Sequence, residues 1–184
     1  MLAQEAAFQL GLEQVLLVPT GEAPHKRIDP EPGARVRLEL ARLAAQGDEL
    51  LEVSDIEVVR AGPSYSSHTL ERLSDVHAGD NLYFLMGADV AAQLEAWHEP
   101  ARVLELARLA IAARPGTMLD EAEAALKRLD AGERAEFIEM PEIGVSSSVV
   151  RRRVAQGQPV SYLVPEAVAA MIAERGLYRE AVAA

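Results

Sequence analysis

The chain contains no cysteine, which excludes disulfides, thiolate metal sites and a cysteine nucleophile and fits a cytoplasmic protein. Aromatic residues make up only 4% of it, with a single tryptophan at position 97. No apolar run reaches membrane-spanning length, and the start lacks the basic-then-apolar order of a signal peptide, so no membrane partner is expected. Cations are also scarce: 18 Lys and Arg stand against 29 Asp and Glu, a net charge of −11. Duplex binding rests on neutralising phosphates, so this balance argues against a nucleic acid polymer as partner. The few basic residues are bunched at His25-Lys26-Arg27 and Arg151-Arg152-Arg153. Basic islands on an acidic chain suit a compact phosphorylated ligand.

What remains is ordinary globular material: 184 residues, 49% apolar, with mean hydropathy near zero. That length supports one sizeable core and a single domain. Leu2 to Leu10 has helical character, with Ala3, Ala6, Ala7 and Leu10 on one stripe and Gly11 as a C-terminal cap. Val15–Val18 reads as a sheet strand covered on both faces. A loop rich in Pro, Gly and charge follows it to Gly33. A helix is predicted over Ala34 to Gln46 on the spacing of Val36, Leu40, Leu43 and Ala44. Leu50–Val53 and Ile56–Val58 are strand-like, and Gly62–Thr69 turns into a helix with Leu70 and Leu73 facing inward. Leu82–Met86 reads as a buried parallel strand, and Gly87-Ala88-Asp89 leads into a short helix ending at Trp97. Pro100 opens the next helix, to about Ala107. Leu109–Ala113 is a further buried strand, Leu119–Leu129 an amphipathic helix, and Glu136–Met140 an alternating strand. A basic helix starts in Gly144–Ser148, and the last runs from Pro165 to before Gly176. The alternation predicts an α/β fold with a doubly wound parallel sheet. Right-handed crossovers would place the loops after Val18, Met86 and Ala113 on one side of it, where ligands bind.

Several constellations carry possible chemistry, each with a plainer alternative. Pro24-His25-Lys26-Arg27 offers cationic groups that could hold a phosphate, or it is a solvated basic loop. Ser146-Ser147-Ser148 at a helix start, with Arg151 one turn in, suits a polyphosphate, or is simple capping before an Arg run. Ser147 and Arg151 are four residues apart and can face one cluster of ligand oxygens. The turn Gly62-Pro63-Ser64-Tyr65-Ser66 could present backbone N–H groups to an anion. Asp89 is either a helix cap or a ligand contact, and Trp97 either fills the core or stacks on a flat ring. His68, His77 and His98 have no metal-ligand spacing and read as surface or structural residues. A lone carboxylate such as Asp89 is a poor cage for Mg²⁺, so no metal ligand is expected.

Taken in order, these segments resemble bacterial nicotinate-nucleotide adenylyltransferases, which join nicotinate mononucleotide to the adenylyl group of ATP in NAD biosynthesis. The carrying segments are Val18–Lys26, Gly62–Leu70, Met86–Asp89 with Trp97–Pro100, Arg114–Gly116, Val145–Arg151, and Tyr162–Glu166 with Gly176–Tyr178. The resemblance implies a Rossmann-like nucleotidyltransferase fold over 1–184 as one domain, with 143–184 as a helical part holding the phosphate-binding helix start. It implies that His25 and Lys26 lie near the reacting phosphates, that Gly87 and Asp89 contact the nucleotide, and that Ser147 and Arg151 bind ATP phosphates. Trp97 would stack on the pyridine ring while the backbone at Tyr65 and Ser66 holds its carboxylate. Mg²⁺ would accompany ATP, and a homo-oligomer is possible.

Two departures qualify the resemblance. The family's Ser-Tyr-Thr-x-Asp-Thr segment here carries Ser66 and His68 in place of Thr and Asp. Met1–Ala7 matches the helix that follows the family's first strand and its Gly-x-Phe-Asp-Pro-x-His-x-Gly-His loop. Roughly twenty residues of strand plus loop are therefore expected upstream, judged from usual loop lengths, and the genomic reading frame tests that. The competing readings are a nucleotide-binding protein without catalysis, and an adenylyltransferase for nicotinamide mononucleotide or phosphopantetheine.

Overall fold

In a computed structural model the described residues are 1–24, 31–113, 119–141 and 143–179. His25, Lys26 and the Arg114-Pro115-Gly116 segment lie outside them. The chain gathers into two compact units, one of residues 1–15 and 65–142, the other of 16–64 and 143–184. The units interleave along the sequence, so no linker marks their border.

The first unit is built on a parallel sheet of β3 (Tyr83–Gly87), β4 (Arg108–Ala113) and β5 (Ala135–Glu139), in the order β3-β4-β5. The central strand shows why an uninterrupted apolar run is needed. Leu109 and Ile111 enter one core, with Met86, Leu94, Val103 and Leu126. Ala110 enters a second core on the opposite face with Ile138 and Ala6, which belongs to α1 (Leu2–Leu10). A strand covered on both faces has no polar side to offer. The small side chains of Ala6 and Ala110, both fully buried, suit close approach of helix and sheet. α1 ends on Gly11 in the left-handed region at φ 65°, as its sequence predicts. Gln9 then braces the β5 edge: its amide donates to Glu139 O at 2.9 Å and accepts from Glu139 N at 3.0 Å. That side chain satisfies backbone groups that a further strand would otherwise pair.

β3 departs from expectation. Its sequence is as apolar as that of β4, yet only Met86 is buried while Tyr83, Phe84 and Leu85 are half-buried. Among the described strands β3 lies at the sheet edge, and an edge strand lacks one neighbour's side chains. At the amino ends of the strands a polar clamp crosses all three. Glu136 accepts from Tyr83 OH and from Arg108 Nε, each at 3.0 Å. Burial, with the neighbouring Glu136 carboxylate, raises the Tyr83 phenol above its ordinary pKa. Helices α3 (Ser66–Val76), α4 (Ala88–Ala91), α5 (Pro100–Leu106) and α6 (Leu119–Arg128) complete this unit. α6 carries Asp120 and Glu121 in its first turn and Lys127 and Arg128 in its last, matching the helix dipole.

The second unit holds the paired strands β1 (Val15–Leu17) and β2 (Leu51–Val53), with the unit border falling inside β1. Ser54 N donates to Leu17 O at 3.0 Å. β1 is less covered than an all-apolar run implies, since Val15 is buried but Leu16 and Leu17 are half-buried. Ile56–Val58 is not a strand. Ser54 Oγ accepts from Ile56 N at 3.3 Å and starts a turn, closed where Val59 N donates to Asp55 O at 3.0 Å. A serine hydroxyl offered to a nearby N–H competes in this way with sheet pairing. α2 (Ala34–Ala45) buries Leu38 and Ala45, whereas Ala44, expected on the inner stripe, is exposed. It packs with α8 (Glu166–Glu174), and Arg175 pairs with Glu39 across them. α7 (Ser147–Ala155) is the remaining helix of this unit.

Candidate active site

In the first unit the site residues follow from where β3 stops. Gly87 ends the strand, and buried Ala88 and Ala91 seat α4 on the core, leaving Asp89 exposed on its first turn. A Cβ on Gly87 would lie 2.5 Å from Asp89 Oδ1. The Asp89 carboxylate therefore folds back over the strand end. Further on, fully buried Leu94 anchors a 3₁₀ turn, Leu94–Ala96, and Trp97 N donates to Leu94 O at 3.1 Å. The Trp97 ring is half-buried and meets Phe84 of β3 edge-on, with centroids 5.5 Å apart. Trp97 is thus tied to the same strand that carries Gly87.

Tyr65 is the N-cap residue of α3 and Ser66 its first residue. The Tyr65 ring lies on His98, the residue after Trp97, at 4.1 Å between centroids and 33° between planes. His68, one turn into α3, meets both rings edge-on, at 5.6 Å from Tyr65 and 5.3 Å from His98. Glu99 completes the group, with Oε2 3.4 Å from His98 Nε2, 4.0 Å from His68 Nε2, and accepting from Ser67 Oγ at 3.2 Å. Sequence spacing gave the histidines no common role. The fold corrects that for His68 and His98, because α3 and the start of α5 meet. His77 instead pairs with Asp80 at 3.5 Å.

In the second unit the loop after β1 is held by groups far away in sequence. Ser64 Oγ accepts from Gly21 N at 3.1 Å and Glu22 N at 3.3 Å, and Ser64 N donates to Glu22 O at 2.8 Å. Arg37 of α2 donates to the carbonyls of Thr20 and, at 3.0 Å, Gly21, and pairs with Glu31. A Cβ on Gly21 would sit 2.3 Å from the Glu57 carbonyl oxygen, so only glycine fits there. This clamp fixes the backbone of Thr20–Glu22. At α7, Ser146 is the N-cap and accepts from Val149 N at 3.2 Å. Ser147 is exposed, and Arg151 donates to Ser148 Oγ at 3.2 Å rather than to Ser147. Arg151, Glu31 and Arg37 all act on Tyr178. Burial raises the Tyr178 phenol above its ordinary pKa, Arg151 opposes, Glu31 adds, and Arg37 opposes. Arg37 and Tyr178 were not picked out individually from the sequence. No local pattern distinguishes Arg37 from other helical arginines, while Tyr178 sat in the Gly176-Leu177-Tyr178 segment without a role.

A strand ending in Gly87 beside Asp89, and the rings around Trp97 and Tyr65, are the candidate groups of the first unit, and the Ser146-capped helix start with Arg151 is that of the second. Residues 1–153 match the cytidylyltransferase-like family model. The chain is 42% identical over 178 residues to a probable nicotinate-nucleotide adenylyltransferase of Roseiflexus sp. (strain RS-1), covering 97% of this chain and 89% of that one. It is 37% identical to the corresponding probable enzyme of Thermomicrobium roseum, covering 97% and 84%. In fold it is similar to the Plasmodium falciparum nicotinic acid mononucleotide adenylyltransferase complexed with APC, at TM-score 0.74 and 15% identity, covering 97% of this chain and 88% of that one. The chain belongs to the nicotinate-nucleotide adenylyltransferase family, and as such it is a nucleotidyltransferase. No helix among the described residues is long and apolar enough to cross a membrane.

Proposed function

We propose that the protein transfers the adenylyl group of ATP to nicotinate mononucleotide, giving nicotinate adenine dinucleotide and pyrophosphate. The observation that carries this reading is the 42% identity sustained over 97% of the chain. A phosphate oxygen of the mononucleotide attacks the α-phosphorus of ATP in line. One P–O bond forms, the bond from the α-phosphorus to the bridging oxygen breaks, and the electron pair leaves on pyrophosphate. No protein nucleophile takes part. Catalysis rests on positioning and on cations at the leaving charge.

In this reading Trp97 stacks on the pyridine ring, and Tyr65 and Ser66 at the start of α3 receive its carboxylate. Gly87 and Asp89 contact the adenylyl nucleotide. Arg151 and Ser147 bind the ATP phosphates, with His25 and Lys26 beside the reacting centre. Mg²⁺ enters as the counterion of ATP. Mg²⁺ takes oxygen ligands and leans on substrate phosphates, and among the described residues the three-member group that could hold a metal contains two imidazoles, so no residue is assigned to it. We place the reaction in the cytoplasm, where its nucleotide substrates are held, with no nucleic acid or membrane partner. Oligomerisation is possible and is read from sedimentation.

Pyrophosphate release from ATP tests the reading, with nicotinate mononucleotide, nicotinamide mononucleotide or phosphopantetheine as acceptor. The expected result is release with nicotinate mononucleotide well above the others. Preference for another acceptor moves the chain to that substrate, and nucleotide binding without release under any acceptor sinks catalysis.

A further inference from the structure

We propose that His68, His98 and Glu99 form a binding site for a first-row transition metal ion of the Zn²⁺ class. Among the described residues these are the one group of three metal-capable side chains whose ligand atoms converge, all within 4.8 Å of one another. Tetrahedral coordination with bonds of about 2.0–2.1 Å separates ligand atoms by about 3.3 Å. The His98 Nε2 to Glu99 Oε2 distance is already 3.4 Å. His68, 39% exposed in its side chain and 4.0 Å from the same oxygen, has only to swing inward.

The surroundings are those of a supported site rather than a chance meeting of surface groups. Metal-binding side chains are oriented by outer partners. Here the fully buried Ser67 hydroxyl holds the Glu99 carboxylate, and the Tyr65 ring lies against the His98 imidazole. Glu99 itself sits in the left-handed region at φ 50°, ψ 59°, a conformation disfavoured for a residue with a Cβ. Its carbonyl accepts from the Arg102 and Val103 amides at 3.0 and 3.2 Å, which fixes that backbone at the start of α5.

Two imidazoles and a carboxylate select Zn²⁺, Co²⁺, Ni²⁺ or Cu²⁺, and not Mg²⁺, which prefers oxygen. Three protein ligands leave the fourth position to water or a small ligand. A bound ion would join α3 to the start of α5 and so stabilise the folded chain by mass action. The inference does not depend on the adenylyl-transfer reading.

The test is titration of the full chain with Co²⁺, following its visible d–d absorption and the unfolding temperature. One Co²⁺ per chain is expected, displaced by Zn²⁺ but retained in excess Mg²⁺, with a rise in unfolding temperature. H68N and E99Q each remove a ligand and should weaken Co²⁺ binding by at least the roughly tenfold that loss of an outer-shell partner costs. Their metal-free unfolding temperatures serve as the folding control. H77N, whose imidazole pairs with Asp80 in the parent, should bind as the parent does. The site is refuted by the absence of a Co²⁺ band. It is equally refuted by unchanged affinity in H68N or in E99Q, by loss of binding in H77N instead, or by displacement with Mg²⁺.

Discussion

The two units carry proposed site groups of opposite character. In the first, the groups assigned to the acceptor are rings seated on buried supports. Trp97 follows fully buried Leu94 and touches Phe84, and Tyr65 lies on His98 beside fully buried Ser67. In the second, the groups assigned to phosphates are an exposed helix start and a loop. Hydrogen bonds from Ser64 and Arg37 hold Thr20–Glu22, and the Ser146 cap with buried Val150 holds the start of α7. A flat ring is recognised by shape, and shape needs close-packed walls. A polyphosphate is recognised by charge and N–H groups, which act over longer distances and belong at loops and helix ends.

That contrast is open to direct attack, and the largest effect is expected in the charged unit. Arg151→Ala should lower kcat/KM by about 100-fold or more, the usual cost of removing one stabilising cation or donor from a transition state. Steady-state kinetics with ATP varied will show it, and a loss below fivefold would remove Arg151 from the phosphate side. Gly21→Ala comes next. The new Cβ meets the Glu57 carbonyl at 2.3 Å, so about 1–3 kcal/mol of stability should go, as for other overpacked sites. Urea unfolding measures it. Because the strain lies in the clamp, the KM for ATP should rise more than that for the mononucleotide.

Trp97→Ala should show the reverse preference. The KM for the mononucleotide should rise about tenfold, on the scale of a lost stacking contact, with that for ATP within a factor of two. Equal effects on both substrates would mean that Trp97 serves only as packing. The smallest effect is expected from Tyr178→Phe. A raised folded-state pKa contributes stability that is complete below the unfolded value of about 10 and is lost as pH rises through the folded value. Unfolding temperatures of parent and variant should therefore run parallel up to about pH 10. Above that the parent should fall faster, and parallel curves throughout would show that burial of Tyr178 does not couple to folding.

Much of this protein is written locally. The α1 cap at Gly11, the strand over Arg108–Ala113, the helix opened by Pro100 and the Ser146 cap all follow from patterns a few residues long. So does the ordered set of segments that marks the family, because each motif is a short run whose chemistry is visible in its residue types. Period and capping are near-neighbour effects, and a sequence displays near neighbours.

Other features depend on segments far apart in the chain. Whether an apolar strand is buried depends on its neighbours in the sheet, which is why Leu82–Met86 and Leu109–Ala113 look alike in sequence but differ in cover. Arg37 became the clamp of the Thr20–Gly21 loop only because α2 folds back onto it, at a separation of 16 residues for the Gly21 carbonyl. His68 and His98 share no spacing that a motif could encode. They meet at 5.3 Å because α3 and the start of α5 pack together, with Tyr65 and Glu99 brought along. Local free energies of capping and periodicity act within a turn or two and are legible residue by residue. Convergence of distant side chains is decided by which faces the whole chain can bury at once.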